Sequence, residues 1–323
     1  MVPTISVVIP VFNRAEAVRR AIASVLAQTF GDFELIVVDD GSTDETVTSV
    51  AGFTDPRVRC IRHERKRGAS AARNTGIRAS TAPYVAFLDS DDEWLPTKLE
   101  RQAQLFEGAD DRLGFVYTGT ERVYANGHVG TNIARRHADL TRQLLTINVV
   151  GETSVGMIRR RALEAVGGFD ESLPASQDAD LWLRLSEKFR ADAVPDPLVR
   201  ISKRDDPGRI SVDAVSSTRG RELFLRKHAG KMKEQRVLHL FLRDLGWIYL
   251  RSARSPVSAR RCYLDSLAAE PLAPKTWMML LMVLLPSSWV DGLARLKHRI
   301  AMLRSSIRRN AGNEGNTVTR WLT

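Results

Sequence analysis

The sequence predicts an α/β fold, in which a mostly parallel sheet is flanked by helices and followed by a C-terminal helical region. Short runs of apolar, often β-branched residues alternate with helical patterns over residues 5–88. Two of those runs stop at clusters of aspartate, and the patterns beyond about residue 215 are helical. Alternation of strand and helix is typical of a parallel sheet, because parallel neighbours need a crossover connection.

The front of the chain supplies these elements in order. The β-branched run Ile5–Ile9 predicts a strand that is buried on both faces. Further strands are predicted at Glu34–Val38, which is apolar, and at Val58–Ile61 and Tyr84–Leu88. Helical spacing predicts helices at Ala15–Gln28 and Ser70–Ala79. A further helix is expected to start at Ser42 or Thr43, which would place acidic residues in its first turn.

Beyond about residue 110 the alternation weakens. Gly114–Thr118 and Glu121–Tyr124 are predicted to pair, Gly167–Asp170 to form a turn, and residues 202–213 to form a loop. Helices are predicted at Asp178–Phe189, Arg221–His228, Glu234–Ser252 and Ser258–Ala269. We therefore expect an α/β domain over residues 1–213, a basic helical region over 214–309 and a flexible tail over 310–323.

The charge of the 323-residue chain is unevenly distributed. The formal net charge is +10, but residues 1–200 hold 25 basic and 28 acidic residues, a net of −3. Residues 201–323 hold 23 basic and 10 acidic residues, a net of +13. With 43% hydrophobic residues the composition is that of a globular protein and excludes a mostly disordered chain.

No pattern in the sequence predicts secretion, a membrane span or a disulfide framework. The N-terminus lacks a basic segment ahead of an apolar one. The longest apolar run, Trp277–Leu285, has nine residues, whereas a spanning helix needs about 20. Cys60 and Cys262 are expected to be reduced thiols. These features predict a cytoplasmic protein, or one that is peripheral on the inner face of the cell membrane.

Carboxylates cluster where two predicted strands end. One strand stops at Asp39 and Asp40, and another at Asp89, Asp91 and Asp92. Ligands of open α/β sheets lie beyond the carboxyl ends of the strands, and neighbouring carboxylates there would be satisfied by a divalent cation or by sugar hydroxyls. Helix capping and turn formation are the alternative roles of these aspartates.

Motifs that would hold a phosphate in other ways are missing from the sequence. The first predicted strand is followed by Pro10-Val11-Phe12-Asn13 rather than by a glycine-rich loop, and no Walker motif or paired histidine is found. A phosphate bound at these strand ends would therefore need a metal ion.

Six short motifs resemble family 2 glycosyltransferases of the GT-A fold, and together they span roughly residues 3–213. The first three are Ile9-Pro10-Val11-Phe12-Asn13, Val37-Val38-Asp39-Asp40-Gly41-Ser42-Thr43-Asp44, and the stretch from Arg67-Gly68-Ala69 to Arg73-Asn74-Thr75-Gly76. The others are Phe87-Leu88-Asp89-Ser90-Asp91-Asp92, Gly167-Gly168-Phe169-Asp170-Glu171, and Gln177-Asp178-Ala179-Asp180-Leu181-Trp182-Leu183-Arg184. The resemblance implies a Rossmann-like sheet, a nucleotide-sugar donor and a Mg²⁺ or Mn²⁺ cofactor.

The resemblance also implies roles for individual residues. The donor-binding residues it implies are Pro10, Val11, Phe12, Glu16, Asp40, Arg73, Asp89 and Ser90. Phe12 stands where the family often stacks a tyrosine on the base, Asp40 would accept a hydrogen bond from the base, and Arg73 would approach the base or the phosphates. Asp89-Ser90-Asp91 matches the family's DxD motif, so that Asp89 would face the ribose and Asp91 would ligate the metal. Asp178 matches the general base, with Asp180 as the alternative.

The sequence departs from the family pattern at two places. Gln177 stands where a glutamate often precedes the catalytic aspartate. The loop expected after the last strand, residues 198–206, has no histidine. Lys203 or Arg204 would contact the diphosphate in its place, or the loop is only solvated.

The basic C-terminal region has three candidate roles. A membrane-surface element would combine Trp277–Leu285 and Trp289 with the cationic residues that follow, which are Arg295, Lys297, Arg299, Arg304, Arg308 and Arg309. A solvated helical subdomain is the second role. A nucleic-acid surface is disfavoured because no nucleic-acid motif is present, so we expect no nucleic-acid partner.

The function expected from these features is inverting, metal-dependent transfer of a sugar from a nucleotide-sugar donor to a hydroxyl of a glycan or lipid-linked glycan, in cell-surface polysaccharide assembly. Two alternatives remain at this point. One is a non-catalytic protein that binds nucleotide sugars as a scaffold. The other is a nucleotidyltransferase, which the missing glycine-rich loop disfavours.

Overall fold

The computed structural model of the protein describes residues 2–203 and 214–283. The chain divides into two compact units, residues 1–241 and 242–323. The boundary predicted after residue 213 and the tail predicted at 310–323 both lie outside the described residues, so this division into domains stays a prediction.

The first unit is built on one nine-stranded sheet in the order β3-β2-β1-β4-β8-β6-β9-β5, with β7 paired to β6. Strands β3, β2, β1 and β4 are parallel, and β6 is parallel to β9, whereas the other pairings are antiparallel. The strands are β1 Ile5–Val11, β2 Phe33–Asp39, β3 Val58–Arg62, β4 Tyr84–Phe87, β5 Asp92–Trp94, β6 Leu113–Tyr124, β7 Val129–Asn132, β8 Gly156–Arg159 and β9 Arg190–Lys203. The predicted α/β fold class is confirmed, and the sheet is mixed beyond its first four strands.

Helices follow most strands of the first unit and continue into the second. They are α1 Ala15–Leu26, α2 Thr46–Ala51, α3 Ala69–Ala79, α4 Lys98–Phe106, α5 Leu140–Leu144, α6 Arg160–Val166, α7 Gln177–Ser186, α8 Ala214–Glu234, α9 Leu238–Arg251, α10 Pro256–Ala269 and α11 Pro274–Met282. A 3₁₀ turn covers Thr153–Val155. Because α3 consists largely of small residues, it packs directly on β1, and a Cβ on Gly76 would lie 2.2 Å from Val8 Cγ1.

Three predictions of local structure are wrong. The helix expected at Ser42 or Thr43 starts at Thr46, because the Asp44 side chain accepts from the Thr46 backbone N–H at 3.0 Å and forms a turn before the helix. Gly114–Thr118 and Glu121–Tyr124 do not pair but belong to the single strand β6. Residues 198–203 are not in a loop, since they complete β9 along β6.

Candidate functional site

The parallel strands β1, β2 and β4 end at one edge of the sheet, and the loops that follow them carry the predicted site. Asn13 adopts φ of 50°, a conformation that asparagine tolerates better than most residues. Its backbone N–H donates to Ser42 Oγ at 2.9 Å, and its side-chain oxygen accepts from the Thr43 N–H at 2.8 Å. These bonds hold the loop after β1 against the loop after β2.

The predicted nucleotide-binding residues of β1 differ in exposure. Pro10 and Val11 are buried in the strand, whereas Phe12 is half-buried and has the Lys66 ammonium 4.0 Å from its ring centroid. Glu16 is exposed on α1, where it pairs with Arg20 at 3.6 Å. The aromatic face of Phe12 thus already carries a cation, and its stacking on a base stays a prediction.

The Asp40 carboxylate is buried and engaged by the protein itself. One oxygen accepts from the Arg67 N–H at 2.9 Å and lies 2.7 Å from His63 Nδ1, and the other accepts from the Gly68 N–H at 2.7 Å. Gly68 has φ of 100°, which favours glycine. Asp40 therefore fixes the loop ahead of α3, and its predicted bond to a base is not tested by this arrangement.

Arg73 connects α3 to the acidic motif after β4. It is buried, its guanidinium lies 2.6 Å from Asp89 Oδ1, and it donates to Gln177 Oε1 at 3.4 Å. Its Nε is buried without a hydrogen-bond partner among the described residues. A buried cation with an unused donor beside an acidic motif suits an anionic ligand.

The aspartates of the DxD motif occupy different surroundings. Asp89 accepts from Thr153 Oγ1 at 3.1 Å in addition to Arg73, and Ser90 is buried. Asp91 pairs with Arg14 at 2.8 Å. Asp92, which belongs to the predicted carboxylate cluster but was given no role of its own, is fully buried and accepts from Ser154 Oγ at 2.7 Å. Burial, followed by the charges of Asp91 and Asp89, raises the pKa of Asp92 well above its ordinary value.

The carboxylates at this site fit a divalent cation that is held jointly with a diphosphate. The described residues contain no group of three or more His, Cys, Asp or Glu side chains arranged to hold a metal by themselves. Mg²⁺ is usually bound through one or two carboxylates plus substrate phosphates, and Asp91 offers a hard carboxylate at the end of a strand. The arrangement is therefore compatible with the predicted Mg²⁺ or Mn²⁺.

Asp178 lies at the start of α7, half-buried, near the Arg73–Asp89 pair. Its Oδ2 accepts from Asn148 Nδ2 at 2.9 Å, and its Oδ1 accepts from the Ala179 N–H at 2.8 Å. Burial raises the pKa of Asp178 to about 6, and the nearby carboxylates of Glu152 and Asp89 act in the same direction. A carboxylate with this pKa accepts a proton near neutral pH more readily than an ordinary aspartate does.

Asp180, the alternative base, points to a different part of the fold. It is fully buried, lies 2.8 Å from both His228 Nε2 and Lys227 Nζ, and accepts from Arg184 Nε at 2.7 Å. Burial raises its pKa, but the hydrogen bond to His228 and the charge of Arg184 outweigh burial and lower the pKa to about 2. Asp180 therefore joins α7 to α8, and the assignment of Asp178 as the base stays a prediction.

We expect Asp180→Asn to lower the free energy of unfolding at pH 7 by about 3 kcal/mol, because it removes the fully buried carboxylate that Arg184, Lys227 and His228 share. The folded pKa is depressed, so the contribution of Asp180 is present above the ordinary pKa of 3.8 and is lost as the pH falls toward 2. Urea unfolding at several pH values measures this difference.

Asp170→Asn is the matched control for Asp180→Asn. Asp170 also lies 2.6 Å from Lys227 Nζ, but its side chain is 26% exposed, so its loss should cost below about 1 kcal/mol. Equal losses from the two variants would contradict the anchoring role of Asp180.

The predicted contact of Lys203 or Arg204 with the diphosphate involves side chains outside the described residues. The backbone of Lys203 ends β9 opposite Tyr124, and its side chain and Arg204 lie outside the described residues. Their contact with a diphosphate stays a prediction.

Several residues that the sequence did not indicate surround the site. Asn148, Glu152, Thr153 and Ser154 lie between β7 and β8, in a stretch that has no motif. His63 contacts Asp40, and Arg14 forms an ion pair with Asp91. An isolated polar residue gives no periodic signal, so only the three-dimensional contacts identify this group.

Comparison with known sequences gives a family match over half of the chain. The sequence model described as Glycosyl transferase family 2 matches residues 6–167. The E. coli protein named UDP-Glc:alpha-D-GlcNAc-diphosphoundecaprenol beta-1,3-glucosyltransferase WfgD is 30% identical over 219 residues, which are 68% of this chain and 82% of WfgD. An uncharacterized glycosyltransferase of Rickettsia prowazekii is 31% identical over 198 residues, 59% of this chain, and the match spans 60% of that relative's length.

Solved structures share the fold at lower identity. The crystal structure of S. aureus TarS residues 1–349 with UDP-GlcNAc has a TM-score of 0.64 at 18% identity, covering 82% of this chain and 81% of that one. The mannosyltransferase PcManGT of Pyrobaculum calidifontis with GDP-Man and Mn²⁺ has a TM-score of 0.57 at 18% identity, covering 91% and 88%. The predicted GT-A architecture is thereby confirmed.

Proposed function

This chain belongs to glycosyl transferase family 2, and we propose that it moves a sugar from a nucleotide-sugar donor to a hydroxyl of a glycan or lipid-linked glycan, with inversion at the anomeric carbon. The observation that carries the proposal is the position of Asp178. It is a half-buried carboxylate with a pKa of about 6, beside the Arg73–Asp89 pair at the carboxyl edge of the sheet.

The donor half of the site is formed by the loops after β1, β2 and β4. Asp89 would accept from the ribose hydroxyls. Arg73, whose Nε–H has no partner among the described residues, would face the phosphates. The surface beside Val11 and Phe12 would contact the base. The sugar-diphosphate would then lie between the acidic motif and the start of α7.

Departure of the nucleoside diphosphate builds negative charge on the leaving oxygen. Asp91 would hold a divalent cation together with the diphosphate, and that cation supplies Lewis-acid stabilisation of the charge. In the described structure Asp91 is paired with Arg14. The Arg14 guanidinium would therefore neutralise Asp91 until the metal and the diphosphate bind. This pairing limits the repulsion among the carboxylates of the acidic motif.

The acceptor hydroxyl attacks the anomeric carbon as the bond from that carbon to the phosphate oxygen breaks. Its proton passes to Asp178, and the nucleoside diphosphate leaves from the opposite face of the sugar. Attack on the face opposite the leaving group inverts the configuration. Since Asp178 must be ionised to accept the proton, transfer should fall as the pH drops below about 6.

The acceptor is proposed from the relatives. WfgD is named for a diphosphoundecaprenol-linked sugar acceptor, and a lipid-linked acceptor of this kind would place the chain in cell-surface polysaccharide assembly. Family membership favours this function over a nucleotidyltransferase, and the intact Asp91 and Asp178 favour it over a non-catalytic scaffold.

The test is a panel of nucleotide sugars offered to the full chain with Mn²⁺, Mg²⁺ or EDTA. A donor that binds should raise the melting temperature in proportion to its concentration over its dissociation constant. Release of nucleoside diphosphate should require the metal, and the anomeric proton coupling of the product should show inversion. A product of retained configuration would overturn the inverting mechanism.

We further propose that the second unit binds anionic membrane surfaces. Its helix α11 exposes Trp277 by 51%, Met278 by 54% and Leu281 by 64%. In sequence the strongly basic segment 291–309 follows, although those residues lie outside the described structure. Tryptophan with nearby cations suits a membrane interface. No helix in residues 2–203 or 214–283 has the length and apolarity needed to cross a bilayer.

Vesicle co-sedimentation tests this membrane proposal. The full chain should sediment with phosphatidylglycerol-containing vesicles at low salt and be released by high salt. Trp277→Glu should weaken that binding about tenfold, whereas Leu264→Glu, at an exposed leucine on α10, should leave it unchanged. A wild-type chain that stays in the supernatant with these vesicles would refute the proposal.

A further inference from the structure

One segment, residues 148–156, contacts both carboxylates on which the proposed reaction depends. At one end Asn148 Nδ2 donates to Asp178 Oδ2 at 2.9 Å. At the other end Thr153 Oγ1 donates to Asp89 Oδ1 at 3.1 Å. We call residues 148–156 the bridging segment. It links the candidate base to the acidic motif through side chains only five residues apart.

The amide orientation of Asn148 is fixed by its neighbours. Its oxygen accepts from the Gly151 N–H at 2.9 Å, so its nitrogen must face the other way. That nitrogen donates to Gly151 O and to Asp178 Oδ2, both at 2.9 Å, which uses both of its protons. Gly151 has φ of 109°, and its carbonyl also accepts from Trp182 Nε1 at 2.9 Å. The Asn148 N–H is thus held on Asp178.

The other end of the bridging segment is fastened to the core by its backbone. Three consecutive carbonyls, those of residues 154, 155 and 156, accept hydrogen bonds from buried side chains. The donors are Trp94 Nε1 at 2.9 Å, Gln102 Nε2 at 2.9 Å and Lys98 Nζ at 3.3 Å. Because these donors come from β5 and α4, the segment cannot shift without breaking bonds to two other elements.

Given the function proposed above, we infer that Asn148 and Thr153 are positioning residues. Asn148 orients Asp178 and favours its ionised form, and Thr153 orients Asp89. A donor aimed at a carboxylate favours its ionised form. The other charged groups near Asp178 are Glu152 and Asp89, which oppose ionisation, and Arg73, which favours it. Asn148 and Arg73 therefore both favour the ionised form of Asp178, which Glu152 and Asp89 disfavour. Their combined effect keeps Asp178 able to accept a proton at neutral pH.

Asn148→Asp is the direct test for the first residue. The new carboxylate can still accept from the Gly151 N–H, but its second oxygen would face Asp178 where an N–H stood. Two adjacent carboxylates share a proton, so the pair titrates at higher pH. The acid limb of the pH–rate profile should move up by at least about one pH unit, with the donor KM little changed.

Asn126→Asp is the matched control, because Asn126 lies exposed in the turn between β6 and β7 and gains the same charge. Its acid limb should coincide with that of the wild type. Thr153→Val should instead raise the donor KM about tenfold without moving the limb. Circular dichroism and melting temperatures establish that each variant folds.

The outcomes separate this inference from the proposed function. An Asn148→Asp limb that coincides with wild type in a folded protein would overturn the role of Asn148, and an unchanged donor KM in Thr153→Val would overturn that of Thr153. If Asp178→Asn keeps full transfer, the proposed base itself is wrong. If that variant is inactive, the base assignment stands whatever the two positioning variants do.

Discussion

Asp178→Asn is expected to reduce sugar transfer at least about 10³-fold while the donor binds with nearly unchanged affinity. The asparagine has the same shape but takes no proton from the acceptor hydroxyl. Donor affinity depends on the acidic motif and Arg73, which the substitution leaves in place. Single-turnover transfer and donor titration by calorimetry measure the two quantities separately.

The same substitution should change stability in the opposite direction to activity. The folded pKa of Asp178, about 6, lies above its ordinary value of 3.8, so its ionised form is disfavoured by the fold at pH 7.5. Removing the charge should therefore stabilise the protein there by up to about 3 kcal/mol. One hydrogen bond is lost against this gain, because Asn148 Nδ2 and the Ala179 N–H donate to different carboxylate oxygens and the amide keeps only one acceptor oxygen. The gain should vanish as the pH falls through 6 toward 4, because the wild-type carboxyl is then neutral too.

Asp55→Asn provides the control for Asp178→Asn. Asp55 precedes β3 and therefore lies at the amino edge of the sheet, away from the site. The Asp55→Asn substitution should leave sugar transfer unchanged. Should Asp178→Asn retain more than about a tenth of wild-type transfer, the base would have to be another group. Glu152 is the nearest candidate, since its charge acts on Asp178.

Asp91→Ala is expected to lower transfer by at least about 10²-fold and to remove the response of the enzyme to added Mn²⁺ or Mg²⁺. The variant loses the carboxylate that would hold the cation with the diphosphate. It also leaves Arg14 without its 2.8 Å partner at a largely buried position. Initial rates across a metal titration, with EDTA as the zero point, give the result.

Arg14→Gln distinguishes the two consequences of the Asp91 substitution. It removes the cation but keeps the carboxylate, so metal activation should persist at a lower metal concentration than in the wild type. An Asp91→Ala protein that remains fully active in EDTA would contradict the metal-assisted mechanism and leave the fold assignment untouched.

The sequence was sufficient for the first two strands of the sheet because both strands are almost entirely buried. Ile5–Val11 is apolar except for Ser6, and Phe33–Asp39 is apolar except for Glu34 and Asp39, and a pattern of this kind leaves few alternatives. Strand β9 was missed because it contains Pro195 and Pro197, which argue against a strand. It forms because β6 offers a long partner whose register shifts near Gly119.

The candidate site was predictable in part, for a similar reason. Asp89, Asp91 and Asp178 belong to motifs of fixed spacing, and Arg73 lies on a helix made of small residues. The bridging segment has no motif and no period, and Asn148 meets Asp178 across 30 positions of sequence. Contacts of such separation follow from the arrangement of the sheet, which local patterns do not determine.

The connection between α7 and α8 bears on how far the chain can be shortened. Lys227 and His228 both reach Asp180 from α8, and Phe224 stacks on Phe241 at 5.7 Å between ring centroids. A protein ending at residue 213 would expose these surfaces and remove two of the three described partners of the buried Asp180 carboxylate, leaving Arg184. The shortest autonomous enzyme should therefore extend to about residue 241, where the first unit ends.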